Sequence, residues 1–363
     1  MTDRGLLSAL TRRNVVKYSL LAPAAALLPV HLRGVSAQDA VVCTMVTDTN
    51  GLGDQNFNDL ANRGGSKAAE DLGIDWRVIE SADQAAYVPN LIAAAEQGQL
   101  AVAVGFLLTD AVTEVAAQFP DKSFVLIDSV VEGDNVRSVL FKEDQLGYLA
   151  GIIAGKTTKT NKIGVIDGVR IPPVQRYEVG FVAGVKSVNP DAEVLIEVTG
   201  TFEDPNLGKT VAAAQFNAGV DIVFPIAGAT GTGAYAAASE LNRMGEIWVI
   251  GVDTTQDHLA PGYELCVVNK GVDLAVYDGC QQTADDVFET GIITYDLASG
   301  RIGFSVYTDR PSAEWEGLTL AYQQMLIDGT LVAPVDDETL AAFQPPPVPE
   351  PLPVASPEAS PTA

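Results

Sequence analysis

The sequence predicts an α/β chain that builds two mainly parallel sheets in succession, and three observations predict it. Short apolar runs alternate with amphipathic stretches, the pattern of strand–helix–strand units. The runs are apolar on nearly every residue, as in strands buried on both faces of a parallel sheet. Eight of them stand in a globular part of about 300 residues, more than one compact sheet usually holds, so two similar sheets are the expectation.

In chain order, residues 41–47 read as the first strand, with a small-residue helix start at 61–65. Strands follow at 76–79, 100–104 and 124–127, with helical patterns at 88–97 and 111–118 between them. A helix at 145–155 leads to strand 163–166, helix 174–188 and strand 194–198. Helix 208–217, strand 222–224, helix 232–244 and strand 248–252 complete the set. The lobes are expected over 38–141 plus 271–298 and over 142–270 plus 299–340.

The two ends read differently. Residues 1–37 have the form of an export signal: a basic start with Arg4, Arg12, Arg13 and Lys17, an apolar run at 19–30, and the small-residue cleavage site Val35-Ser36-Ala37. Adjacent Arg12 and Arg13 point to the twin-arginine route, which exports folded proteins. The apolar run is about 12 residues, short of the roughly 20 that span a bilayer. Cleavage after about Ala37 is expected, into the periplasm or onto the cell surface. No Cys stands at that site, so a lipid anchor there is not expected. From Pro345 the chain reads PPPVPEPLPVASPEASPTA, a composition that cannot bury a core and is expected to be a disordered tail, extended and mobile.

Charge narrows the partners. The chain has 22 Lys and Arg against 47 Asp and Glu, net −25. Removing residues 1–37 takes five positive charges and one negative, leaving −29. Such a chain repels nucleic acid and anionic lipid, and a neutral or cationic small ligand suits it better than a polyanion. Three Cys and two His do not make a zinc module at these spacings. Cys43 sits in an apolar run and reads as core; Cys266 and Cys280 are left open as a pair or as free thiols.

Ligands of open parallel sheets sit at the carboxyl ends of the strands. There the chain places Asp48, Asp128-Ser129, Asp167-Gly168, Phe202-Glu203-Asp204, a glycine loop over residues 228–233, and Asp253-Thr254-Thr255-Gln256. Asp and Gly are also common turn and cap residues, so each alone is a weak signal. Several strand-end carboxylates without a His, Cys or metal-ligand cluster suit the grasping of sugar hydroxyls rather than catalysis. The glycine loop lacks the Lys-Ser/Thr of a phosphate loop, and no G-x-G-x-x-G follows the first strand.

Asp48-Thr-Asn-Gly-Leu-Gly-Asp54-Gln-Asn-Phe57-Asn58 resembles the opening signature of the basic membrane protein family, the ABC-transporter binding proteins that include purine nucleoside receptors. The resemblance continues through Gln145-Leu-Gly-Tyr-Leu-Ala-Gly151, Pro173-Val-Gln-Arg-Tyr-Glu-Val-Gly-Phe-Val-Ala-Gly184, Gly200-Thr-Phe202-Glu-Asp204, the 228–233 glycines, Gly251-Val-Asp253-Thr-Thr-Gln256 and Lys270. It covers roughly residues 41–290 in the family's order. It implies two Rossmann-like lobes of the type I periplasmic-binding-protein architecture, closing by hinge motion on a ligand.

The implied site is specific. Phe57 and Phe202, one from each lobe, would sandwich a base; Asp48 and Asn58 would read its edge. Asp253 and Lys270 would hold ribose hydroxyls, with Asp128 adding a hydroxyl or edge contact, and Gly228 and Gly231 would let backbone approach the ligand. Each has a plainer alternative: core for the two phenylalanines, caps for Asp128 and Asp253, a solvent-facing hinge residue for Lys270. The expected function is an extracytoplasmic solute-binding protein for nucleosides, purine ones first, with an ABC permease as partner, a monomer without cofactor or metal. Another flat heterocycle such as riboflavin is the alternative ligand. A nucleoside-processing enzyme would need an acid/base or metal cluster. Two departures stand out: Asn50 and Asn56 replace the family's usual Gly and Ser beside Phe57, and the lipidation Cys is missing.

Overall fold

The structure, a computed structural model, describes residues 40–354. The export signal expected over residues 1–37 and the last part of the Pro-rich segment, 355–363, lie outside the described residues.

In chain order the elements run β1 Val42–Val46, α1 Phe57–Leu72, β2 Asp75–Ile79, α2 Tyr87–Gln97, β3 Leu100–Ala103, α3 Thr109–Gln118, β4 Ser123–Ile127, β5 Val136–Phe141 and α4 Glu143–Thr157. The second half continues with β6 Lys162–Asp167, α5 Pro172–Val188, β7 Glu193–Val198, α6 Pro205–Asn217, β8 Ile222–Ile226, α7 Gly228–Leu241, β9 Trp248–Asp253 and β10 Glu264–Lys270. Then come α8 Val272–Ala284, β11 Gly291–Tyr295, β12 Ile302–Val306, α9 Glu316–Ile327 and α10 Asp337–Ala342.

These strands form two six-stranded sheets, ordered β11-β5-β4-β3-β1-β2 and β12-β10-β9-β8-β6-β7. The first is parallel throughout. The second is parallel except where β12 runs against β10. Because β11 returns to the first sheet after β10, the chain passes between the sheets three times: after β5, after β10 and after β11. Central strands such as β3 (LAVA) and β8 (IVFPI) are buried at every position, which is why they read as unbroken apolar runs.

One packing device joins the two helices that back the second sheet. A Cβ on Gly147 or Gly151 of α4 would stand 2.2 or 2.3 Å from the carbonyl oxygens of Tyr177 and Phe181 in α5. A Cβ on Gly180 or Gly184 of α5 would come equally close to the carbonyls of Asp144 and Tyr148 in α4. The glycines, four residues apart on each helix, are therefore what lets these backbones touch.

Four strands fall where no apolar run marks them. β5 carries Arg137 and Ser138 in the sheet interior, Arg137 reaching Gln282 at 3.4 Å and the Glu289 carbonyl at 3.3 Å. β10 begins on a charged residue and ends on another, and β11 and β12 are half-exposed edges. The glycine run expected as a loop is instead helix: α7 begins at Gly228, and Gly233 lies where a Cβ would be 2.2 Å from the Pro205 carbonyl of α6. The Cys266–Cys280 pairing is not present. All three thiols are free and buried, and Cys280 lies beside Cys43. The Pro-rich segment carries no helix or strand over 345–354, yet its Leu352 N–H donates to the Gly317 carbonyl of α9 at 2.9 Å.

Candidate ligand cavity between the two sheets

The β8–β9 ladder of the second sheet ends short of the cavity. Pro225 in β8 has no N–H, and pairing between β8 and β9 stops at Val223–Val249. Past that point Ile226 to Gly228, and Val252 and Asp253 at the end of β9, line one cavity. Strand ends of the first sheet supply the opposite wall: Asp48 after β1, Gly105 to Leu107 after β3 and Asp128 after β4. Phe57 opens α1, Phe202 follows β7, Val174 and Tyr177 come from α5, and Lys270 ends β10.

The chain holds two of these carboxylates under backbone strain. Asp128 and Asp253 have φ of 69° and 63°, the left-handed region that Asp enters more readily than most residues but still at a cost. Strain of this kind gathers at ligand-handling positions.

A buried ionic network sits at one end of the cavity. Lys270 Nζ donates to Asp128 Oδ2 at 2.7 Å and lies 3.0 Å from Glu143 Oε1. Glu143, fully buried, also accepts from Arg176 Nε at 2.7 Å. Tyr177 Oη donates to Asp253 Oδ1 at 2.9 Å. Burial pushes Asp128 up to about 6 against the pull of Lys270, and raises Asp253 in the same way. Burial works against the charges on Lys270 and Glu143, but their opposite-charge neighbours outweigh it. Lys270 is held well above its ordinary value by Asp128, Glu143 and Asp253, and Glu143 below its own by Lys270 and Arg176. Asp128 Oδ1 is buried without a partner among the described residues.

A further part of the wall is built by the loop from β1 to α1, and the Phe57 ring that follows it lies 5.3 Å from Lys270 Nζ. Asp48 Oδ1 accepts from Asn58 Nδ2 at 2.8 Å and from Asn50 N at 2.9 Å, and burial pushes the Asp48 carboxyl up to about 6 against those bonds. Asp54 accepts from the backbone N–H groups of Asn56, Asn58 and Asp59, which fixes the start of α1 and with it Phe57. Across the mouth, Thr49 donates to Glu203, Gln256 Nε2 donates to the Gln55 carbonyl at 3.3 Å, and His258 Nε2 lies 3.0 Å from Gln55 Oε1.

Of the residues singled out in the sequence, Asp48, Phe57, Asp128, Phe202, Gly228, Asp253 and Lys270 all line this cavity. Asn58 does not. It is fully buried behind Asp48 and orients that carboxylate, donating also to Asp54 at 3.1 Å. Gly231 is also absent from the wall; it lies in the first turn of α7, where a Cβ would stand 2.9 Å from the Pro225 carbonyl. Sequence reasoning missed Tyr177, Glu143 and Arg176, although two of them stand in the Pro173–Gly184 motif. Helical spacing alone does not say which face of α5 meets a cavity.

A family model described as ABC transporter substrate-binding protein PnrA-like matches residues 41–324. A CD4+ T-cell-stimulating antigen of Listeria innocua is 36% identical over 319 residues, covering 82% of this chain and 89% of that protein. The ABC transporter nucleoside-binding protein BmpA of Lactococcus lactis is 36% identical over 310 residues, covering 80% and 88%. Among solved structures, an ABC transporter solute-binding protein from Aeropyrum pernix superposes with a TM-score of 0.75 at 29% identity, over 83% of this chain and 96% of that one.

Proposed function

The chain belongs to the Bmp family of PnrA-like ABC transporter substrate-binding proteins, and on that premise we propose that it captures a nucleoside, a purine nucleoside first, for an ABC importer. The observation that carries the reading is the make-up of one cavity: an aromatic ring from each lobe, Phe57 and Phe202, with Asp128, Asp253 and Lys270 in the same wall. A flat heterocycle gains about 1–3 kcal/mol from each aromatic face it stacks on, and ionised carboxylates are strong acceptors for vicinal hydroxyls. A base joined to a ribose has both. The relative from Lactococcus lactis, named as nucleoside-binding, supports the same ligand class.

The mature protein works outside the cytoplasm, as its family does, with its N-terminus at or near Gln38. No helix among the described residues is long and apolar enough to cross a membrane. The bound, closed form is presented as a monomer to a permease, and the nucleoside leaves chemically unchanged. Mass spectrometry of ligand carried through purification, followed by calorimetric titration with nucleosides and free bases, tests this. Nucleoside bound more tightly than its free base is the expected result. Free base released from nucleoside well above the buffer rate, or no binding of any nucleoside, overturns it.

A further inference from the structure

Beside the two rings, the loop from β1 to α1 holds hydrogen-bonding capacity that the chain does not use. Asp48 spends Oδ1 on Asn58 and Asn50, while its Oδ2 makes no hydrogen bond among the described residues. Asn50 and Asn56 both line the cavity. The Oδ1 of each is buried without a partner, and Asn56 as a whole is 3% exposed. Polar groups in such places are nearly always satisfied, so an unspent set in a cavity wall marks what the ligand brings.

The three groups line the same cavity as the two rings. A Cβ on Gly105 would lie 3.4 Å from the Phe57 ring and 3.7 Å from Asp48 Oδ2, so ring and free carboxylate oxygen border the same gap at Gly105. A Cβ on Gly228 would lie 3.1 Å from Asn50 Nδ2 and 3.4 Å from Phe202 Cβ. Asn50, from the loop after β1, thus reaches the start of α7, where the backbone of Phe202 also packs. Asn56 directly precedes Phe57. A carboxylate only accepts, whereas an amide both donates and accepts. The atoms left over, Asp48 Oδ2 and the Oδ1 of each amide, are all acceptors, so the matching edge is one rich in N–H donors.

Resting on the nucleoside reading, we propose that Asn50 and Asn56 determine specificity. Together with Asp48 they select a base whose edge carries a ring N–H and an adjacent amino group, as guanine does. A base that turns a ring-nitrogen lone pair toward the carboxylate, as adenine does, is disfavoured. Neither amide is needed to hold the loop, since neither makes a side-chain hydrogen bond among the described residues.

Calorimetric titration of the mature chain with guanosine, inosine and adenosine tests the assignment. Guanosine binds about tenfold or more tightly than adenosine, and inosine, which keeps the ring N–H and carbonyl but lacks the amino group, falls between. Asn50→Ala and Asn56→Ser each shrink the guanosine-to-adenosine ratio by about fivefold, with melting temperatures recorded alongside. Asn50 is the less buried of the two, so Asn50→Ala carries the test if the Asn56 variant does not fold. Adenosine bound as tightly as guanosine, or a ratio unchanged in the folded variants, overturns the inference and leaves nucleoside binding standing. Failure of all nucleosides to bind overturns the nucleoside reading itself, and this inference with it.

Discussion

Asp48 sits in a wall that strips water from its carboxyl without giving it a cation. Its ordinary value of 3.8 is raised to about 6, so between those values the folded chain holds a proton that the unfolded chain has released. Its contribution to stability therefore declines as pH rises from about 4 to 6. Two pH units at 1.36 kcal/mol each set the effect at ~3 kcal/mol at most. Denaturant unfolding of the ligand-free protein at pH 4 and pH 7 should show Asp48→Asn gaining on the wild type at the higher pH. A difference that is flat with pH would remove this account of the carboxyl. The rings make a second residue-scale prediction. Phe57→Ala or Phe202→Ala should weaken nucleoside binding by about 1–3 kcal/mol. Asp253→Ala should instead erase the preference for a nucleoside over its free base. Unchanged affinity with a lowered melting temperature would make the phenylalanines core residues only. Asp48, Asp128 and Asp253 were legible in the sequence because strand ends announce themselves. Asn58 was also legible, but the structure places it behind Asp48 and not in the wall, a distinction that a sequence does not carry. Tyr177 and Glu143 were not legible, since each reaches the site from a helix whose partner face only the tertiary packing defines.

At the scale of elements, burial decided what the sequence could reveal. β3, β4, β8 and β9 are buried on both faces and showed as apolar runs. β5 hid because its interior holds Arg137 and Ser138, and β11 and β12 because edge strands need no continuous apolar face. The glycines at 228–233 suggested a loop by composition, but they are small so that α7 can press against α6 and the end of β8. The same logic in α4 and α5 gives a prediction with two opposing terms. Gly184→Ala raises helix propensity by about 1 kcal/mol, yet its Cβ would stand 2.1 Å from the Tyr148 carbonyl. A backbone atom cannot rotate away, so the overlap wins and the two helices must part, at a net cost of ~2 kcal/mol. Gly303→Ala in β12 meets no heavy atom within 4 Å and should change stability by no more than about 0.5 kcal/mol. Equal melting temperatures for the two variants would rule out close helix contact as the reason for the glycines.

For the molecule as a whole, charge sets which relatives of the ligand are admitted. The chain is net −25, and among the residues lining the cavity Asp48, Asp128 and Asp253 face a single cation, Lys270. That lysine is already committed to Asp128 and Glu143. A nucleoside brings no charge into this arrangement, whereas its 5′-phosphate brings up to two negative ones. Two like charges about 4 Å apart near a protein surface repel by roughly 4 kcal/mol at an effective dielectric of 20. A nucleoside monophosphate should therefore bind at least about a hundredfold more weakly than its nucleoside. The contacts across the mouth from Thr49 to Glu203 and from Gln55 to His258 and Gln256 sharpen this, because a phosphate that props the mouth open forfeits them. Salt separates the two contributions. Raising ionic strength from 0.1 M to 1 M shortens the screening length from about 10 Å to about 3 Å, which removes the repulsion of the distant surface carboxylates but not that of the buried ones. Titration of nucleoside and monophosphate at both ionic strengths should show a gap that narrows with salt and does not close. A monophosphate binding as tightly as its nucleoside at 0.1 M would mean that an unassigned cationic group reaches the ligand, and the cavity's selection against charge would fall.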